Sequence, residues 1–137
     1  VPRVDLGIAV DTPDGLIVPV LRDAGGRNQH GISEAVDALK NAAVQRTIAA
    51  EALRDPTITL SNFGVLAGRY AALVVVPPQV AIVGAGRIML AAVPADGGGV
   101  TFHHHLPLSF TFDHRVATGG DAARFMSALI AALERAA

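Results

Sequence analysis

From Leu106 to Asp113 the chain alternates strictly. Leu106, Leu108, Phe110 and Phe112 take turns with Pro107, Ser109, Thr111 and Asp113. Side chains two apart share a face of a strand, so this segment demands a sheet with one face buried against a second layer. One more step of the period puts His114 on the apolar side, where the strand gives out into a turn containing Gly119 and Gly120. Burial disfavours the imidazolium, so a histidine there is expected to be neutral and free to accept a proton. A general base acting on a thiol or hydroxyl has that requirement. A core histidine that only hydrogen-bonds its surroundings fits the strand as well.

Five further segments carry strand or helix signals. Val4 to Val10 and Leu16 to Leu21 read as strands joined by Asp11-Thr-Pro-Asp-Gly15, where Pro and Gly suit a tight turn. Ordinary turn chemistry accounts for both aspartates, and a calcium loop would need more oxygen ligands. Ile32, Ala35, Val36, Leu39, Ala42 and Ala43 recur at helical spacing, which predicts a helix from about Ile32 to Arg46. A short helical turn over Ala49 to Leu53 follows, closed by Asp55-Pro56. His30, in the polar loop before the helix, is expected to be solvated. Thr57 to Gly64 alternates again, ending in Ser61-Asn62-Phe63-Gly64. Ser61 fits ordinary strand-end polarity, and it lacks the Gly-x-Ser-x-Gly elbow of a hydrolase nucleophile.

The apolar run from Ala71 to Pro94 raises the question of a membrane span. Pro77-Pro78-Gln79, Gly84, Gly86 and Arg87 interrupt it well short of the ~20 residues a span needs. Two buried strands, Tyr70–Val76 and Val80–Met89, are expected instead. Gly84-Ala-Gly-Arg has two glycines of a dinucleotide fingerprint and no helical run behind it, so that reading fails. Pro94 to Gly99 reads as a hairpin loop. His103-His104-His105 could offer at most two imidazoles to one ion, because neighbours on a strand face opposite ways; no metal is expected. Asp121 is expected to cap a final helix whose buried stripe is Phe125, Met126, Leu129, Ile130 and Leu133.

Composition narrows the function. With 137 residues, 51% hydrophobic and a formal net charge of −1, the chain suits one globular domain with a real core. That charge offers nothing to attract nucleic acid or an acidic membrane. There is no cysteine, which excludes disulfides, thiolate metal sites and a cysteine nucleophile, and is compatible with a cytoplasmic location. The first residues lack the basic and apolar regions of a signal peptide. A single lysine, Lys40, among many arginines points to a GC-rich bacterial genome.

Asp113-His114-Arg115-Val116 followed by Gly119 resembles the active-site signature of the dihydrolipoamide acyltransferases, the core subunits of the 2-oxo acid dehydrogenase complexes. The Gly7–Val20 hairpin, Ser61-Asn62 with Gly64, and Pro77-Pro78-Gln79 resemble further motifs of that family, in the same order along the chain. The resemblance implies an α/β (α+β) fold like that of chloramphenicol acetyltransferase. It is a two-layer sandwich of mixed β-sheet with helices on one face, here incomplete at the N-terminus. Residues 1–137 would be the C-terminal part of the catalytic domain, without a lipoyl or subunit-binding domain.

The implied activity is acyl transfer between dihydrolipoamide and coenzyme A. His114 would be the general base and Ser61 the oxyanion donor. Asp11, Ser61 and Asn62 would contact coenzyme A, and the lipoyl group would be carried on a domain absent from this chain. The histidine of one subunit would face the serine of its neighbour in a homotrimer, or in a larger core built from trimers. The decarboxylase and dihydrolipoamide dehydrogenase subunits of the complex would be the partners, with no nucleic acid or membrane. A branched-chain acyl group is favoured over acetyl or succinyl. The short ending Glu134-Arg-Ala-Ala137 lacks an apolar anchor, which leans towards isolated trimers. Thr118 stands where the family signature has an aspartate thought to brace the histidine turn, so a catalytically weak core or scaffold subunit is the alternative reading.

Overall fold

The computed structural model describes residues 2–66 and 68–136; Val1, Ala67 and Ala137 lie outside the description. Strand β1 (Leu6–Thr12) is the centre of the N-terminal half. Two short antiparallel strands line its edge, β2 (Gly15–Ile17) and β3 (Val20–Leu21), in place of the single strand expected over Leu16–Leu21. The break falls at Val18-Pro19. Proline has no N–H for a ladder, yet Pro19 is fully buried and its carbonyl accepts from Ile8 N at 2.8 Å.

Helix α1 (Gln29–Val44) begins three residues earlier than the apolar spacing indicates, because Asn28 caps it by accepting from Gly31 N at 2.8 Å. His30 therefore sits in the first helical turn, exposed and beside Glu34. A 3-10 turn over Ala50–Leu53 matches the expected second helical piece. Strand β4 (Ile58–Asn62) runs parallel to β1, and β5 (Ala81–Ala85) runs parallel to β4. Tyr70–Val76, expected as a strand, is extended but joins no ladder. Of the second expected strand only Ala81–Ala85 pairs in this sheet, and Met89 already opens β6 (Met89–Pro94), which forms a separate hairpin with β7 (Val100–His105). The alternating segment is β8 (Leu108–Phe112), antiparallel to β5 and the last strand of the main sheet, ordered β2-β1-β4-β5-β8 with β3 also on β1.

Residues paired across a ladder share a face. The register therefore runs Ile8, Leu60, Val83 and Phe110 across one side of the sheet. Both helices pack there. Ala43, Leu39 and Val36 of α1 close over Ile8, Val10 and Leu21, while Phe125 of α2 (Gly119–Ala136) stacks on Phe110 at 4.9 Å. A mixed sheet with its helices on one face is the expected architecture. The stripe of α2 is less covered than its spacing suggests. Phe125, Ile130 and Leu133 remain about two-fifths exposed, since only the terminal strand β8 lies beneath the helix. No described helix is long and apolar enough to cross a membrane.

At the N-terminal side, Asp5 ties three segments together. Its carboxylate accepts from Asp23 N and Arg3 Nε, both at 2.8 Å, and from Arg22 Nη1 at 3.1 Å. The Asp23 N–H, then Arg3 and Arg22, hold this carboxyl at about 2, well below its usual range. Arg22 also donates to the carbonyls of Glu51, Arg54 and Asp55, clasping the 3-10 turn to the sheet.

Candidate active site

The opposite face of the sheet carries Ala9, Ser61, Gly84 and Ser109, with Gly7, Thr59, Ile82 and Thr111 in the next row. The segment Ala72–Gln79, which turns at Pro77-Pro78, runs across this face, leaving a cleft of about 620 Å³ between itself, Ala9, Thr59 and Ser61. Two polar contacts hold the strap. Thr59 Oγ1 donates to Gln79 Oε1 at 2.5 Å, and Ala71 N donates to Ser109 Oγ at 3.1 Å. Ser61 is half-buried in this cleft, whose lining is otherwise mostly aliphatic.

Close packing at the end of β4 places Ser61 sharply. Phe63 N and Gly64 N both donate to Ala85 O, at 3.1 and 3.2 Å, and Arg87 Nε reaches Gly64 O at 3.3 Å. A Cβ on Gly64 would fall on the Gly86 carbonyl group and 2.6 Å from Arg87 N, so only glycine lets the two strand ends meet. Asn62 is exposed and turns its side chain back on the loop, Oδ1 accepting from Gly64 N at 3.2 Å. By register Asn62 faces the helix side rather than Ser61's. Asp11 lies on Ser61's face two residues beyond Ala9, exposed at the tip of the β1–β2 hairpin.

His114 sits elsewhere. The strand period ends at Phe112, and residues 114–116 form a turn, so the imidazole is exposed rather than buried as the alternation suggests. Its ring rests against Phe112, centroids 5.4 Å apart. Asp113 builds the turn. Its backbone N donates to Val80 O at 2.8 Å, and its carbonyl accepts from Val116 N and Ala117 N. Its carboxylate accepts from Arg115 N at 2.9 Å and Arg115 Nη2 at 2.7 Å. Hydrogen bonding from the Arg115 guanidinium and N–H holds the Asp113 carboxyl at about 2.

Thr118 opens α2 as its capping residue, the role expected of Asp121. Its carbonyl accepts from Ala122 N at 3.0 Å, while its N and Oγ1 donate to Asp121 Oδ2 at 2.9 and 2.7 Å. Asp121 N returns a bond to Thr118 Oγ1 at 3.2 Å, and Arg124 Nη2 donates to Asp121 Oδ1 at 2.6 Å. This is a capping box with a carboxylate at the third helical position. The Thr118 hydroxyl, its N–H and then Arg124 hold the Asp121 carboxyl at about 2. Thr118-x-x-Asp121 is the sequence signal for such a box, although the spacing of the apolar stripe alone does not reveal it.

The two groups of site residues are therefore apart in one chain. Ser61 is aligned through Gly84 with Ser109, and His114 lies five residues past Ser109. Two strand spacings and the turn beyond Phe112 separate the two side chains, Ser61 on the cleft face and His114 against Phe112 of the helix face. Asp11 and Ser61 share one face of the sheet, while His114 and Thr118 stand together in the β8–α2 connection. His103 and His105 share one face of β7 and His104 takes the other. Among the described residues no group of three or more histidine, aspartate or glutamate side chains gathers as metal ligands do.

A mixed sheet with both helices on one face and a histidine turn after its last strand belongs to the chloramphenicol acetyltransferase-like fold class. Within that class the chain belongs to the family described as 2-oxoacid dehydrogenases acyltransferase (catalytic domain), whose model matches residues 2–137. It is 41% identical over 134 residues to the lipoamide acyltransferase component of the branched-chain alpha-keto acid dehydrogenase complex of Pseudomonas aeruginosa, covering 98% of this chain and 31% of that protein. It is 36% identical to the dihydrolipoyllysine-residue acetyltransferase component of the pyruvate dehydrogenase complex of the same organism, covering 92% and 23%. The solved Azotobacter vinelandii dihydrolipoamide acetyltransferase superposes with a TM-score of 0.88 at 35% identity, over 94% of this chain and 53% of that one. The chain thus spans about a third or less of these curated relatives and about half of that solved chain.

Proposed function

We propose that the protein transfers an acyl group between dihydrolipoamide and coenzyme A, with His114 as general base and Ser61 as oxyanion donor. Residues 1–137 are read as the C-terminal part of an acyltransferase catalytic domain. The observation that carries the reading is the split placement of two well-built half-sites in a chain of this family. His114 stands exposed and Ser61 lines a cleft, so a site completed between neighbouring copies gives both a purpose.

The incoming thiol hands its proton to the His114 imidazole. A thiol pKa of ~8.5 lies about two units above that of an ordinary imidazole, so concerted proton removal costs little. The thiolate attacks the thioester carbonyl and a new C–S bond forms. The negative oxygen accepts a hydrogen bond from Ser61 Oγ, and collapse breaks the old C–S bond. The departing thiolate takes up the proton held by His114. No covalent enzyme intermediate arises, in keeping with a chain that lacks cysteine.

In the Azotobacter enzyme a serine, a histidine and an asparagine have been investigated for their role in the catalytic mechanism, the asparagine four positions after the histidine. Thr118 stands four positions after His114, which supports a site role for it here. Coenzyme A would lie along Asp11 and the Ser61 cleft, with Asn62 at the mouth, and a lipoyl group would arrive on a separate domain. The mostly aliphatic cleft favours a branched-chain acyl group, as does the 41% identity to a branched-chain component. The family resemblance implies a homotrimer as the assembly that completes the site between copies, working with decarboxylase and dihydrolipoamide dehydrogenase subunits.

The test is acyl transfer by the whole protein from isobutyryl-, acetyl- and succinyl-CoA to dihydrolipoamide, beside a His114→Ala variant. A fall in kcat of about 10²- to 10⁴-fold is expected, with isobutyryl-CoA the best donor. The second reading, a weak scaffold subunit, rests on Thr118. It is the one left standing if the wild-type protein assembles yet does not turn over.

A further inference from the structure

We propose that Asp121 is a positioning residue for His114, supplying through Thr118 the negative charge that steadies the histidine turn. The inference rests on His114 being the base. His114 is exposed and its ring rests on that of Phe112, so its direction depends on the backbone of residues 114–117. That short loop is pinned at both ends. At the β8 end Asp113 holds it through Val80, Arg115, Val116 and Ala117. At the α2 end the only carboxylate bonded to Thr118 among the described residues is that of Asp121, which takes both the Thr118 N–H and hydroxyl on one oxygen and Arg124 on the other.

A threonine at 118 cannot carry charge, but it reaches a carboxylate one helical turn on. The anion at position 121 is joined to the turn by two hydrogen bonds, and Arg124 fixes its other oxygen. Charge-assisted bonds of this kind are short and directional. Removing the carboxylate leaves the exposed Thr118 N–H and hydroxyl to water, and the α2 end of the loop is then held only by the helix cap. An imidazole on a loosened turn samples orientations from which it cannot reach the thiol, and rate falls steeply with such misplacement.

A plain helix cap predicts something different. Asp121→Ala leaves Thr118 Oγ1 able to accept from the backbone N of residue 121, so the helix keeps its cap and the fold should survive. In the whole protein Asp121→Ala is expected to lower kcat about tenfold, with KM for isobutyryl-CoA and for dihydrolipoamide within twofold of wild type. Adding Thr118→Asp to that variant returns a carboxylate to the turn and is expected to recover most of the lost kcat. Asp121→Asn, which can still accept from Thr118 but not pair with Arg124, should fall between. Wild-type kcat in Asp121→Ala overturns the inference, and so does failure of Thr118→Asp to rescue a folded double variant. Should Asp121→Ala not fold, the Asp121→Asn value decides: unchanged kcat there is equally fatal. Full activity in His114→Ala would instead sink the underlying assignment, so the two failures are distinguishable.

Discussion

Replacing Gly64 with alanine probes the packing that sets Ser61. The new methyl would overlap the Gly86 carbonyl and lie 2.6 Å from Arg87 N. Backbone atoms, unlike side-chain tips, cannot swing aside, so one strand end has to retreat by nearly 1 Å to restore ordinary contact. Overpacking of that kind costs about 1–3 kcal/mol. The retreat also stretches the Gly64 N to Ala85 O and Arg87 Nε to Gly64 O bonds, each worth about 1 kcal/mol net. A loss of about 3 kcal/mol is expected, or a fall of ~6–12 °C in Tm. Ser61 sits three residues upstream on β4, and a ~1 Å error in its hydroxyl should cost up to about 100-fold in kcat. Urea unfolding and the acyl-transfer assay measure both. Gly25→Ala is the control, since a Cβ there meets nothing within 4 Å. A Gly64→Ala protein within about 0.5 kcal/mol of wild type, turning over normally, would refute the reasoning from close approach.

Ser61→Ala should leave unfolding unchanged and lower kcat by about 10²- to 10³-fold, as expected for losing one oxyanion donor; stopped-flow thiol release would show it. Thr59→Val removes a buried hydroxyl whose partner, Gln79 Oε1, is then unpaired. That should cost about 1–3 kcal/mol in urea titration and loosen the strap over the cleft. Asp5, Asp113 and Asp121 are all held at about 2, below the 3.8 of a free aspartate. Their stabilisation is present above pH ~4 and is lost as pH falls from there through ~2. The urea midpoint should drop over that window, and Asp5→Asn should flatten the drop.

What could be read in advance follows from where burial has a period. α1 was legible because it buries one face at helical spacing, and β8 because its apolar residues alternate, although both of its faces are half-buried. Tyr70–Val76 misled because an apolar extended run looks alike whether its backbone pairs or not; here it crosses the sheet as a strap and its alternation survives without a ladder. His114 misled for the converse reason. The period stops one residue short of it, at a turn made by the Asp113 carboxylate, and local hydrogen bonding overrides alternation. The roles of Ser61 and His114 came from likeness to a family, since neither spacing nor composition joins residues on opposite faces. The exchange of roles between Thr118 and Asp121 was open to view in the Thr-x-x-Asp spacing, but a carboxylate at the start of a helix looks equally apt as the cap or as the group three residues inside it.

In the arrangement we propose, with Ser61 on one side of the sheet and His114 beyond its last strand, catalysis is a property of contacts between copies. Two proteins that are each dead, one Ser61→Ala and the other His114→Ala, should therefore become active when unfolded, mixed and reassembled together. In a closed ring of random composition about a quarter of the junctions pair an intact serine with an intact histidine. Heterogeneous assemblies of this protein would carry a graded output fixed by which chains happen to be neighbours.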